Sequence, residues 1–209
     1  MAARIEHLVT SGTFSLDGGT WDVDNNVWIV GDDTEAIVID AAHDAEAIAR
    51  ALGDRALRAI VCTHAHNDHI DAAPALAEAT GAPVLLHPDD LPLWKQTHPE
   101  RAPDAELADG QTIAVAGVEL TVLHTPGHAP GAVCLYAPAL TALFSGDTLF
   151  AGGPGATGRS YSHFPTIVAS IRDRLLTLPG DTVVHTGHGE TTTVAAEAPH
   201  LQEWLDRGF

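Results

Sequence analysis

The strongest constraint in this chain is an apolar run that breaks into a cluster of imidazoles. Arg58 to Thr63 reads as a strand, apolar throughout at Ala59-Ile60-Val61-Cys62, and it feeds directly into His64-Ala65-His66-Asn67-Asp68-His69. Imidazole and carboxylate together are the donor set for zinc, iron or manganese. A second run, Ala36-Ile37-Val38-Ile39, is nearly continuous apolar, as expected of a strand covered on both faces, and it ends in Asp40. Strands that deliver donors from their ends onto one rim are how a rigid sheet fixes metal geometry.

The rest of the chain alternates strand and helix patterns. Val27–Val30 and Glu35–Asp40 flank Gly31-Asp32-Asp33-Thr34 and predict a hairpin. Asp44 should cap a helix bearing Ile48, Ala51 and Leu52, stopped by Gly53, and Asp71 should cap the next, which runs to Gly81. Val84-Leu85-Leu86 is a strand, followed by a helical or irregular segment with Trp94. After Asp109-Gly110 the pattern turns β-rich, through Thr112–Ala116, Val118–Leu123, Ala132–Tyr136 and Ala142–Phe144. A Gly-rich loop, Ala151 to Arg159, precedes a helix with Phe164, Ile167, Val168, Ile171, Leu175 and Leu178 on one face. Thr182-Val183-Val184 is a last strand, and Pro199 opens a final helix presenting Leu201, Trp204 and Leu205. No repeat or long linker divides the chain, so a single domain over 1–209 is expected. Two rounds of strands and helices predict an α/β fold of two facing mixed sheets with outer helices, a four-layer sandwich.

Composition narrows the partners. With 28 carboxylates against 10 basic residues, the net charge is −18, a field that repels phosphate backbones and anionic membranes. A small-molecule substrate is expected, with no nucleic acid and no membrane, and the oligomeric state is not legible. No basic segment followed by an apolar one opens the chain and no run is of membrane-spanning length, so the cytoplasm is the expected compartment. Cys62 and Cys134 lie in apolar runs and read as packing residues.

His64 and His66 are two apart, so on extended backbone they project to one side and can share a metal. Asp68 and His69 turn away toward a second site. Further candidates follow predicted strands: His128 in Thr125-Pro126-Gly127-His128, Asp147 in Ser145-Gly146-Asp147-Thr148, and His188 in Thr186-Gly187-His188-Gly189. The remaining histidines, His7, His43, His87, His98, His124, His163, His185 and His200, read singly as structural.

The ordered set His64-x-His66-x-Asp68-His69, His128, Asp147 and His188 resembles the metallo-β-lactamase superfamily, over nearly the whole chain. The resemblance implies two divalent metal ions, zinc first, with iron or manganese as alternatives. One would take His64, His66 and His128, the other Asp68, His69 and His188, with Asp147 bridging; Asp68 and Asp147 are the expected catalytic carboxylates. Asp40 matches the aspartate that orients a ligand from outside. The chemistry implied is attack by a metal-bound hydroxide on an acyl carbon.

Zinc lactamases of the best-known class carry a cysteine where this chain has Asp147. The run Gly146-Asp147-Thr148-Leu149-Phe150, with Gly187-His188-Gly189-Glu190-Thr191-Thr192, is instead similar to the glyoxalase II group, which hydrolyses thioesters of a small thiol. That group's C-terminal helical domain, with basic residues that hold glutathione, has no counterpart in this sequence, so another thiol such as mycothiol could serve the same core. Arg159, Tyr161 and His163 are the candidate substrate contacts, although Pro154-Gly155-Ala156-Thr157 stands as an insertion before the arginine. Two alternatives stay open on the same residues: a persulfide dioxygenase with one iron held by His64, His128 and Asp147, and a lactone hydrolase.

Overall fold

A computed structural model describes residues 2–208. The first sheet contains Arg4–Leu16 (β1), Gly19–Gly31 (β2), Glu35–Ile39 (β3), Ala56–Val61 (β4), Val84–Leu86 (β5) and Ala105–Glu106 (β6), in that spatial order. Its first three strands pair antiparallel and the rest parallel. The second half supplies Thr112–Val115 (β7), Val118–His124 (β8), Val133–Ala137 (β9) and Ala142–Gly146 (β10), then a short ribbon of Leu149–Phe150 (β11) and Gly153–Pro154 (β12), then Val183–Thr186 (β13) and Thr192–Thr193 (β14). The second sheet is ordered β14-β13-β10-β9-β8-β7, with β13 parallel to β10 and the other pairs antiparallel. Seven α-helices join them: Ala45–Leu52 (α1), Asn67–Ile70 (α2), Ala73–Thr80 (α3), Leu91–Thr97 (α4), Phe164–Ser170 (α5), Val194–Glu197 (α6) and Leu201–Arg207 (α7).

Three apolar cores separate four layers, and strand alternation assigns residues to them. Ile37 and Ile39 of β3 point between the sheets, where they meet Val61, Leu120, Val122, Leu135 and Phe144. Their neighbours Ala36 and Val38 point outward, against Ile48 and Leu52 of α1, Leu76 of α3 and Trp94 of α4. On the far side, Cys134, Leu143 and Val184 pack under Ile167, Val168 and Trp204 from α5 and α7. The continuous apolar runs of β3 and β4 follow from this: a central strand of a four-layer fold buries both faces. Both cysteines are buried and free. No helix among the described residues is long and apolar enough to cross a membrane.

Asp44 caps α1, accepting the Ala47 N–H at 2.8 Å, and Gly53 and Gly81 close α1 and α3 as expected. The predicted hairpin forms, with β2 antiparallel to β3 around residues 32–35. Beyond it, β2 begins at Gly19 and makes an unpredicted 13-residue ribbon with β1 around an Asp17-Gly18 turn. Two expectations need correction. Asp71 does not cap α3, whose N-cap position is Ala72. Its carboxylate accepts the His43 N–H at 2.6 Å instead, which fixes the turn after β3. The long helix from Phe164 is α-helical only to Ser170, then passes through a π-helical turn, Ile171–Leu175, that keeps Ile171 and Leu175 both buried.

Candidate metal centre

The site lies where the loops after β4, β8, β10 and β13 converge. His64, His66 and His128 form one group whose donor atoms lie within 4.8 Å of one another, and Asp68, His69 and His188 form a second. Within the first, His66 Nδ1 is 3.1 Å from His64 Nε2 and 2.9 Å from His128 Nε2. Within the second, His69 Nε2 is 3.2 Å from His188 Nε2, and His188 Nε2 is 3.3 Å from Asp68 Oδ2. Asp147 stands between the groups: Oδ1 is 3.4 Å from His69 Nε2, and Oδ2 is 3.5 Å from both His128 Nε2 and His188 Nε2. Glycines make this approach possible. A Cβ on Gly187 would collide with Asp147 Oδ1, and one on Gly146, at φ 48° just before Asp147, would collide with the Thr63 side chain.

The outward nitrogens decide what the inward ones can do. His128 Nδ1 is 2.8 Å from the Ala156 carbonyl and His188 Nδ1 is 2.7 Å from the Asp24 carbonyl. His69 Nδ1 is 3.1 Å from Asp40 Oδ2. Thr63 donates its hydroxyl to Asp40 at 2.7 Å, which leaves its oxygen to accept from His64 Nδ1 at 3.1 Å. A ring that donates from Nδ1 carries a lone pair on Nε2 when neutral. In the first group two such lone pairs, on His64 and His128, therefore converge on His66 Nδ1, while the outer nitrogen of His66 is buried without a partner. The Oδ1 atoms of Asp68 and Asp147 are also buried without a hydrogen-bond partner. Converging lone pairs and orphaned carboxylate oxygens fit cations, and the outer partners match the arrangement that orients metal-binding imidazoles.

The charges differ between the two groups. Burial, reinforced by the neighbouring imidazoles, drives His64 well below the usual histidine range and His66 down to about 3. On the other side burial is outweighed: Asp147 and Asp68 hold His69 well above the usual range and raise His188 to about 10. Burial would raise the Asp68 carboxyl, but His69, His188 and Asn25 bring it down to about 2. The first group is thus a neutral nitrogen pocket, and the second is an ionised one in which protons compete with any ion.

Asp40 lies under this centre, where the chain leaves β3. It sits one residue past β3 at φ 55°, a left-handed conformation that costs energy outside glycine. The Thr63 N–H, the Thr63 hydroxyl and His69 Nδ1 all reach its carboxylate and hold it there.

Of the substrate candidates, only Arg159 faces the centre. Its guanidinium lies 4.0 Å from the Trp21 ring centroid and 5.4 Å from that of Phe14. With Phe14, Trp21 and Val23 it walls a 260 Å³ chamber whose floor is His66, Asp68, His128, Asp147 and His188. Tyr161 and His163 do not line it. Tyr161 is exposed and accepts a long 3.4 Å bond from Gln96 Nε2, and His163 is exposed and bonds Thr166 at the start of α5. The loop leaves the chamber after Arg159, so their side chains point elsewhere.

Several contributors carry no sequence signal of their own. Asn25 donates to Asp68 Oδ2 at 3.1 Å and meets His43 Nε2 at 2.9 Å. Asp90 accepts the Ala65 and Gly131 N–H groups, joining two donor loops. Phe14 and Trp21 face each other across the hairpin, where the Asp17-Gly18 turn signal could have announced them.

Residues 20–188 match the family model described as the metallo-beta-lactamase superfamily. The chain is similar to hydroxyacylglutathione hydrolase GloC of Haemophilus influenzae, 31% identical over 181 residues that cover 79% of this chain and 85% of that protein. Among solved structures it is similar to TTHA1623 in a di-iron-bound form, at 34% identity and a TM-score of 0.74, covering 90% of this chain and 96% of that one. It is also similar to ETHE1 from Myxococcus xanthus, at 26% identity and a TM-score of 0.73, covering 92% of this chain and 83% of that one.

Proposed function

Because the chain belongs to the metallo-β-lactamase superfamily, we propose that it is a metal-dependent thioesterase, cleaving S-acyl conjugates of a small thiol. One observation carries the reading: two donor groups meet at a single carboxylate, Asp147, on the floor of a chamber sized for a short acyl chain. His64, His66 and His128 would hold one ion, Asp68, His69 and His188 the other, and Asp147 both, with zinc, iron or manganese as candidates. Ions so held lower the pKa of a bound water to about 7 and stabilise oxyanion charge.

The chain's own groups set the geometry of the reaction. Asp40 and Thr63 hold the His69 and His64 rings in orientation through their outward nitrogens. Phe14 and Trp21 give the acyl side an apolar wall, and the Arg159 cation would meet an anionic or hydroxylated acyl group. In the overall step, one water adds its oxygen to the acyl carbon while the carbon–sulfur bond breaks. The products are a carboxylic acid and a thiol. The likeness to the Haemophilus hydroxyacylglutathione hydrolase supports thioester hydrolysis, and the di-iron neighbour supports a pair of ions.

The likeness to ETHE1 favours a second reading, oxygenation of a persulfide with one iron on His64, His128 and Asp147. Lactone hydrolysis would use the same donors. Metal content and activity measured on one preparation separate them. Two ions per chain with thiol release from S-acyl thiols is the expected result. One iron with persulfide-dependent oxygen uptake selects the dioxygenase, and hydrolysis of lactones without thioesters selects the lactonase. A His66→Ala variant that keeps its full metal content overturns the ligand assignment itself.

A further inference from the structure

Two chambers, not one, open beside His66. Beyond the one over the donors, a second of 440 Å³ lies under the hairpin tip, between Ser15–Thr20, the His66 loop and the end of α4. A small 30 Å³ pocket shares Leu16 and His66 with the second chamber and Phe14, His66, His128 and Arg159 with the first. Beside it the hairpin tip touches the Arg159 loop, where the Ser160 N–H donates to Asp17 at 3.0 Å. A thioester with its carbonyl at the donors has two arms, and the site offers two rooms of unequal size.

The rooms also differ in charge. Arg159 lines the first chamber and the small pocket, and its charge also acts on Asp17 of the second. No lysine or arginine lines the second, whose polar side chains include Ser15, Thr20, Gln96 and Thr97, with the Ser15 and Thr20 hydroxyls 3.0 Å apart. Its one acidic side chain is Asp17, whose carboxyl the Ser160 hydrogen bond holds below the usual range, so it is ionised at neutral pH. The whole chain adds a net charge of −18. An arm bearing carboxylates would enter this room against the Asp17 charge, with no cation on its walls, whereas hydroxyls and amides find donors and acceptors there.

We infer that the second chamber takes the thiol arm of the substrate and selects a thiol without carboxylates, rich in hydroxyl or amide groups, over an acidic one such as glutathione. The inference rests on the thioesterase reading and places the larger arm in the larger room. Selection comes chiefly from exclusion: the wall lacks the basic residues that an acidic thiol needs.

The test compares kcat/KM of the metal-loaded full chain on one acyl group, S-acetyl, carried by glutathione, by glutathione diethyl ester and by 1-thioglucose. The diethyl ester keeps the tripeptide skeleton and removes both carboxylates. The expected result is a preference of about tenfold or more for the ester and the thiosugar over glutathione, a factor that corresponds to one unfavourable charge contact. Thr97→Lys, which adds a cation at the end of α4, should narrow the gap by raising the glutathione rate. Equal rates on all three thiols, or a preference for glutathione, overturn the inference while leaving the thioesterase intact. So does a Thr97→Lys variant that changes acyl preference but not thiol preference. If no thioester is cleaved, the thioesterase reading fails, and binding of the uncleavable S-ethyl analogues, read by tryptophan fluorescence, still decides the chamber's preference: tighter binding of S-ethylglutathione than of its diethyl ester overturns it.

Discussion

Asp90 touches no donor side chain, yet both of its carboxylate oxygens are committed to the loops that carry donors. Oδ2 accepts the Ala65 N–H at 2.8 Å, between His64 and His66, and Oδ1 accepts the Gly131 N–H at 2.5 Å, in the turn after His128. Burial pushes its carboxyl up to about 6 despite those bonds. A raised carboxyl binds its proton more tightly in the folded state than in the unfolded chain. Its contribution to stability is therefore complete below about pH 3.8 and is lost as pH rises through about 6, by up to about 3 kcal/mol. Unfolding by urea between pH 4 and 7 should show the wild type losing stability relative to Asp90→Asn as pH rises; a parallel pair of profiles would count against it. Asp90→Ala, which leaves two buried N–H groups unpaired, should cost about 1–3 kcal/mol for each. Such a residue is illegible in sequence because Pro88-Asp89-Asp90 looks like any acidic turn. The seven donors could be read because imidazoles and carboxylates recur after apolar strands. Asp40 was legible as a residue, but not its left-handed backbone, which only its partners from Thr63 and His69 enforce.

At the scale of elements, the least legible piece is the β1–β2 ribbon, and it forms the wall of the site. Much of its surface is exposed, so its strands alternate only weakly and lack the apolar runs that gave away β3 and β4. The ribbon is anchored by Asn67, which stands between His66 and Asp68. Its Oδ1 accepts the Ser15 N–H and its Nδ2 donates to the Thr13 carbonyl, both at 2.7 Å, so a side chain pairs with β1 as a neighbouring strand would. Asn67→Ala should release the ribbon tip. We expect faster amide exchange over residues 13–16, a changed Trp21 emission and a KM increase of several-fold with a smaller change in kcat. An unchanged KM with unchanged exchange would show that the ribbon holds its place without this anchor. The misplaced cap at Asp71 has the same origin as the missed ribbon: both depend on partners distant in the chain.

Across the whole molecule, the four layers were legible from alternation and punctuation, since each central strand had to bury two faces. What could not be read was the meeting of the two halves. His64, His66, Asp68 and His69 come from the first sheet's loops, while His128, Asp147 and His188 come from the second's. An ion in either group would tie one sheet to the other. Removing metal with a chelator should therefore lower the stability of the whole fold, by about 4 kcal/mol where free metal had stood at a thousand times its Kd, or roughly 10 °C in melting temperature for a chain of this size. Calorimetry before and after chelation checks this; loss of all metal with an unmoved melting temperature would deny the tie. The ribbon has a consequence of another kind. All seven donors lie after Asp40 in the chain, whereas Phe14, Trp21, Val23 and the hairpin tip all lie before it. Much of the substrate wall and all of the donors are thus written in separate stretches of sequence, tied together by Asn25, whose amide reaches Asp68, and by Asp24, whose carbonyl meets His188. A lineage could vary the ribbon tip ahead of Asp24, altering its diet, while Asp24, Asn25 and the donors keep the reaction in place.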